Sequence, residues 1–95
     1  MRKADIIQEI ADKTGIAKVD ILVTLEAFFR EVKQTVLEGE NVTLRGFGSF
    51  TTQLRKAKLG RNIKANTEVK IPAHYIPKFK PAREFIVAMK SVEVK

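Results

Sequence analysis

The length of 95 residues suits one small domain, and an apolar share of 44% is enough for a folded core. The absence of cysteine excludes disulfides and thiolate metal sites, and no apolar run approaches the roughly eighteen residues of a membrane span. The net charge of +7 is concentrated in residues 55–83, which hold nine Lys or Arg and one Glu, whereas residues 1–54 hold seven Lys or Arg and eight Asp or Glu. This segregation indicates a polyanionic partner such as nucleic acid, a heparin-like polymer or an acidic membrane.

Two helices are predicted at the start of the chain. Apolar residues recur at helical spacing from about Lys3 to Thr14, and Gly15 can take the left-handed conformation that ends a helix. A second helix is predicted from about Lys18 to Leu37 and is closed by Gly39. It carries two apolar stripes, one formed by Leu22, Leu25, Phe29, Val32 and Val36 and the other by Ile21, Leu25, Phe28 and Val32. A helix this apolar must be covered on more than one side, which one short preceding helix cannot do.

From Asn41 the apolar pattern changes to a period of two, which is typical of strands. A first strand around residues 42–45 is followed by a tight reversal at Gly46-Phe47-Gly48 and a return strand over residues 49–54. We expect that strand to continue through residues 55–59, now with cationic side chains. Residues tolerant of positive φ then predict a turn, after which residues 67–71 run back; the turn residues are Gly60, Asn62 and Asn66.

Three prolines mark the last part of the chain. Pro72, Pro77 and Pro81 cannot donate a ladder hydrogen bond, so we expect this strand to be an edge or to be broken by bulges. Pro81 is predicted in the first turn of a last helix. The inner face of that helix would carry Phe85, Ile86 and Met89, and residues 91–95 would form a short polar tail.

The arm, defined here as residues 55–71, is too polar to pack on a core, and a two-stranded ribbon alone has little stability in water. The rest of the chain is too small to cover a helix that is apolar on two sides. We therefore predict a dimer that shares an apolar core across a two-fold axis. The residues expected in this core are Leu25, Phe28, Phe29, Val32, Leu44, Phe47, Phe50 and Phe79.

Four motifs resemble, in order and spacing, the signature of the bacterial HU / integration host factor (IHF) family over about residues 1–90. They are Gly46-Phe47-Gly48-Ser49-Phe50, Gly60-Arg61-Asn62, Ile71-Pro72-Ala73 and Pro77-Lys78-Phe79-Lys80-Pro81. The resemblance implies an α+β fold and an intertwined dimer, with 1–95 as a single domain. Each chain would contribute two N-terminal helices, a three-stranded antiparallel sheet with a long protruding β-ribbon arm, and a short C-terminal helix.

The same resemblance implies architectural DNA binding, in which two arms wrap the minor groove and bend the duplex. The implied DNA-binding residues are Arg55, Lys56, Lys58 and Lys70 on the arm strands, Arg61, Asn62, Ile63 and Lys64 at the tip, and Lys3, Lys80 and Arg83 on the body. Phe47 and Phe50 match core positions. The sequence departs from the family at Ile63, where a proline usually wedges between base pairs. Isoleucine is also an apolar wedge in minor-groove benders, and whether it intercalates here stays open.

The expected partner is double-stranded DNA, with nicked or pre-bent DNA favoured because part of the deformation is already made. Sequence preference is expected to be weak, with a site-preferring IHF-type bender as the alternative. The chain would pair with itself or with a paralogue, in the cytoplasm and associated with the nucleoid. We expect no cofactor, no metal, no small-molecule substrate and no membrane partner.

Three other functional classes fit the sequence less well. Enzyme activity is not expected, because His74 is the only histidine and no reactive constellation can be assembled around it. A basic module for membrane or polyanion surfaces would carry its cations on an amphipathic helix, whereas here they lie on a predicted ribbon. An RNA binder would present exposed aromatic side chains for base stacking, and the arm has none.

Overall fold

The computed structural model describes residues 1–62 and 67–94 and confirms the predicted α+β fold. Its elements in chain order are α1 (Lys3–Thr14), α2 (Lys18–Leu37), β1 (Val42–Leu44), β2 (Gly48–Arg55), β3 (Lys58–Asn62), β4 (Thr67–Ile71), β5 (His74–Pro81) and α3 (Arg83–Lys90). The chain divides into two compact units, Met1–Gln34 and Thr35–Lys95. None of the helices within the described ranges is long and apolar enough to cross a membrane.

The first unit contains α1 and most of α2. The carboxylate of Asp5 accepts a hydrogen bond from the Arg2 backbone N–H at 2.8 Å, which satisfies one of the donors left over at a helix start. At the other end of α1, Gly15 has a φ of 75° and donates its N–H to the Ala11 carbonyl. Both helices therefore begin and end where the sequence pattern predicted.

The second unit is built on a three-stranded antiparallel sheet in the order β1-β2-β5. In the β1–β2 hairpin Val42 pairs with Phe50 and Leu44 with Gly48. The reversal between them is closed by a hydrogen bond from the Phe47 N–H to the Leu44 carbonyl at 3.0 Å. Strand β5 pairs with β2 alone, so Pro77 lies on an edge strand, as predicted.

The ribbon, formed by β3 and β4, is a separate two-stranded sheet, and it differs from the predicted arm at its base. Pairing of β2 with β5 ends at Arg55 opposite His74, and pairing of β3 with β4 begins at Lys58 opposite Ile71. The expectation of a continuous strand over residues 55–59 was therefore wrong. Pro72 explains the break, because it has no N–H to donate to a ladder.

Two further expectations are corrected. Gly60 and Asn62 lie in β3, opposite Val69 and Thr67, and not in a turn, because the pairing extends to the last described residue of that strand. Asn66 lies outside the described residues. Pro81 is the last residue of β5, where it pairs with Gly48, and α3 begins only at Arg83 with Ala82 as its N-cap.

The apolar side chains are only partly covered within one chain. Among the described residues the buried hydrophobic ones are Ile7 and Ile21, at 8% and 7% exposure, and no described side chain is fully buried. In the second unit the apolar side chains gather in a ring cluster, defined as Phe47, Phe50, Phe79 and Phe85. Its ring centroids lie 5.0–5.7 Å apart in tilted pairs, a favourable aromatic geometry.

Candidate nucleic-acid interface

The cations of the basic stretch follow the strands that lead into and along the ribbon. Arg55 is the last residue of β2, Lys56 lies in the connection, and Lys58 is the first residue of β3. Lys70 is on β4, opposite Leu59. All four side chains are exposed, so each can meet an external anion without first leaving a packed site.

The register distributes these charges over both faces of the ribbon. Lys58 pairs with Ile71, and the next rung pairs Leu59 with Lys70. Because successive residues of a strand alternate between faces, Lys58 and Lys70 lie on opposite faces. A ribbon with cations on both faces can contact the two phosphate strands that border a groove, and a two-stranded ribbon fits the width of a DNA groove.

The structure places only two of the four residues that were predicted at the arm tip. Arg61 and Asn62 end β3, where Arg61 is opposite Glu68 and Asn62 opposite Thr67. Ile63 and Lys64, the predicted wedge and its neighbour, lie outside the described residues, so the interpretation of the tip stays a prediction.

The predicted body contacts fall in both units. Lys80 pairs with Ser49 near the end of β5, and Arg83 is the first residue of α3, so these two exposed cations lie close along the chain in the second unit. Lys3 is in the first unit, where its ammonium forms a hydrogen-bonded ion pair with Glu26. An ammonium carries three N–H donors, so the ion pair with Glu26 leaves further N–H groups of Lys3 available to a phosphate. The hydrogen bond and charge of Lys3 lower the pKa of the Glu26 carboxyl.

The residues predicted for the dimer core are partly exposed in the single chain. Phe28 and Phe29 on α2 are 39% and 38% exposed, and their ring centroids are 6.1 Å apart. In the ring cluster Phe47 and Phe79 are 46% and 37% exposed. The other predicted members are intermediate in burial: Leu25, Val32, Leu44 and Phe50. Large aromatic side chains in this state still have surface to bury against another chain.

The base cavity, a space of about 530 Å³ between the sheet and the ribbon, was not predicted. Its lining residues are Arg55, Lys56, Ala57, Lys58, Ile71 and His74. No functional role was predicted for His74, because its neighbours in space follow only from the break in strand pairing. The signal that points to it is its position two residues after Pro72, where the ladder is interrupted. No cluster of three or more His, Asp or Glu side chains suited to a metal occurs within residues 1–62 and 67–94.

Comparison with known proteins gives consistent matches along nearly the whole chain. Residues 1–90 match the family described as bacterial DNA-binding protein. A DNA-binding protein HU of Clostridium pasteurianum is 39% identical over 85 residues, which cover 90% of this chain and 93% of that protein. Integration host factor subunit alpha of Aliivibrio fischeri is 34% identical over 94 residues, which cover 99% of this chain and 96% of that subunit. An Anabaena HU–DNA cocrystal structure matches with a TM-score of 0.91 at 34% identity, over 97% of this chain and 100% of that one.

Proposed function

This chain belongs to the bacterial DNA-binding protein family that contains HU and the integration host factor subunits, and from that membership we propose that it is an architectural DNA-binding protein. In this proposal a dimer binds duplex DNA between two cationic ribbons, which wrap around it in the minor groove, and bends the duplex. One solved HU structure similar to this chain, that from Anabaena, is a complex with DNA.

The observation that carries the proposal is the ribbon. Among the described residues its two strands pair only with each other, both of its faces carry lysine, and it belongs to a stretch with nine Lys or Arg and one Glu. A polyanion with regularly spaced charge on both sides of a groove is the complementary partner, and release of its condensed counterions would supply most of the affinity.

The low burial of a single chain supports the dimer. Two buried hydrophobic residues in the described part of the chain are too few for a stable domain of this size. A second chain would cover Phe28 and Phe29 on α2 and the ring cluster, and two-fold symmetry would provide two ribbons. The partner chain is a second copy or a paralogue.

In the bending step, contacts would offset the cost of deforming the DNA. Smooth bending of such a site costs roughly 1–6 kcal/mol, and each unstacked base step costs on the order of a few kcal/mol more. Cation–phosphate contacts from Lys3, Lys80 and Arg83 along the bent flanks would offset these terms. Ile63, at the tip, would be the wedge, and Arg61, Asn62 and Lys64 would contact the groove beside it.

Sequence preference should be weak, because the minor groove presents a degenerate pattern and Asn62 and Asn66 are the few side chains suited to read it. We propose a role in DNA compaction and in the assembly of recombination, replication or transcription complexes, associated with the nucleoid in the cytoplasm. We propose no enzymatic activity.

Fluorescence anisotropy on a labelled duplex, measured from about 50 to 200 mM salt, tests this function. If the dimer makes 6–10 phosphate contacts, its affinity should fall by about 10³–10⁵ over that range. A nicked duplex should bind more tightly than the intact one. Preferential binding to heparin or to anionic vesicles, with weak salt-insensitive binding to DNA, would contradict the proposal.

A further inference from the structure

The base cavity forms because both strands stop pairing at the same level. The last rung of the sheet joins Arg55 to His74, and the first rung of the ribbon joins Lys58 to Ile71. The residues between these rungs, 56–57 on one strand and 72–73 on the other, have no ladder partner. The resulting space of about 530 Å³ lies between two paired segments whose register is fixed on both sides.

The lining of this cavity suits an anion. Arg55, Lys56 and Lys58 line it, and none of the lining residues in the described part of the chain is acidic. The one carboxylate of the basic stretch is that of Glu68, whose backbone lies opposite Arg61 in the ladder, three residues before Ile71 on β4. Arginine and lysine side chains that line the same space favour a phosphate, whose oxygens accept hydrogen bonds from them.

His74 adds a group whose hydrogen-bonding capacity depends on protonation. Its Nδ1 lies 3.0 Å from the Pro72 carbonyl oxygen. Since a carbonyl oxygen only accepts, Nδ1 must carry the proton and donate, and in the neutral ring Nε2 is then an acceptor. Protonation therefore occurs at Nε2 and converts it into a donor. The ring can bind a phosphate oxygen through Nε2 only in its cationic form.

We propose that the base cavity binds one phosphate group of the DNA backbone and that protonated His74 completes this site. The inference rests on the proposed function and extends it, because it makes DNA affinity rise as the pH falls through the range from about 8 to 5 in which histidine titrates. The charged residues that line the cavity together with His74 are Arg55 on β2, Lys56 in the connection and Lys58 on β3, and lysine and arginine are normally cationic throughout that range. Tyr75, the next residue on β5, is exposed. A phosphate bound within hydrogen-bond reach of a histidine favours the charged form of the ring, so binding at this site would be linked to proton uptake.

The single histidine makes this linkage directly measurable. The ring Cε1–H resonance in proton NMR reports His74 alone, and its titration can be followed in the free dimer and in the dimer saturated with a duplex. We expect the titration midpoint to rise by about one pH unit on DNA binding, which corresponds to a tenfold difference in affinity between the two protonation states. A midpoint that DNA does not move would overturn the proposal.

Binding measurements on two variants separate this site from the general affinity for DNA. The wild-type homodimer carries one such site on each ribbon, so it should bind a duplex up to about a hundredfold more tightly at pH 5.5 than at pH 8, with a salt slope steeper by about 1.8 at the lower pH. His74→Gln should lose this difference, and His74→Lys, with a permanent charge, should bind tightly at both pH values. Normal binding at pH 8 with the same pH dependence in all three proteins would overturn this inference alone. Absence of DNA binding at every pH would overturn the proposed function as well.

Discussion

Two glycines of the β1–β2 reversal have different structural roles. Gly46 has a φ of 81°, and a Cβ atom added there would have nothing within 4 Å. Gly48 faces β5 closely: an added Cβ atom would lie 2.5 Å from the Lys80 carbonyl oxygen and 2.7 Å from the Phe79 ring. Gly46 is thus required for its backbone conformation, and Gly48 for the approach of β5.

We predict that Gly48→Ala destabilises the protein by about 1–3 kcal/mol, because β5 and the ring cluster would have to move away from the new methyl group. Gly46→Asn is the matched control, since asparagine tolerates a positive φ and meets no atoms there. Urea unfolding at one fixed protein concentration measures both. Equal midpoints for Gly48→Ala and the wild type would show that the close approach is not required.

Glu26 gives a pH dependence whose sign follows from its ion pair with Lys3. The pKa of this carboxyl is lowered in the folded protein, chiefly by the hydrogen bond from Lys3. Its contribution to stability is therefore present above the ordinary glutamate pKa and is lost as the pH falls through the lowered value. We predict that Glu26→Gln is less stable than the wild type at pH 7 and equally stable at pH 2.5. Urea unfolding at both pH values tests this, and an unchanged difference at low pH would contradict it.

The contribution of the ribbon to DNA affinity should depend on the number of phosphates that it contacts. We predict that Lys58→Gln and Lys70→Gln each reduce the slope of log K against log salt by about 1.8 in the homodimer, because each removes one phosphate contact from each of the two ribbons. Lys13→Gln is the control, since Lys13 lies in the first unit and pairs with Glu9 at 3.6 Å. Anisotropy titrations at several salt concentrations measure the slopes. If both ribbon variants keep a slope as steep as that of the wild type, the DNA does not contact these ribbon lysines.

The elements differ in how well the sequence predicts them. Helices α1 and α2 were predicted to their end residues, because apolar periodicity and the glycines after them are local signals. The ends of the ribbon were not predicted. The break before Lys58 depends on which residue of β4 pairs with Lys58, and this pairing is not a local signal. The sequence identified which cationic residues belong to the candidate interface. Their distribution over the two faces of the ribbon depends on the register between β3 and β4 and was not predicted. The base cavity and the position of His74 beside it could not be predicted for the same reason.

For the whole molecule, the shortage of buried apolar side chains predicts an obligate dimer. Sedimentation equilibrium should give twice the chain mass of 10.7 kDa at micromolar concentration. Phe29→Glu should weaken dimerisation by more than a hundredfold, since losing a buried aromatic side chain costs about 3–5 kcal/mol and every 1.4 kcal/mol is tenfold. Val23→Glu is the control, because Val23 is 63% exposed and lies outside both apolar stripes of α2. A folded Phe29→Glu dimer as tight as the wild type would exclude α2 from the interface.

Bending of duplex DNA by the dimer can be measured by energy transfer between dyes on the two ends of a duplex of about 35 base pairs, slightly longer than a typical bent site. The wild-type dimer should shorten the end-to-end distance, with a larger effect at lower salt and tighter binding to a nicked duplex, and Ile63→Ala should reduce the shortening if the tip acts as a wedge. Saturated, salt-sensitive binding with no change in end-to-end distance would contradict the account and leave a protein that coats DNA without bending it.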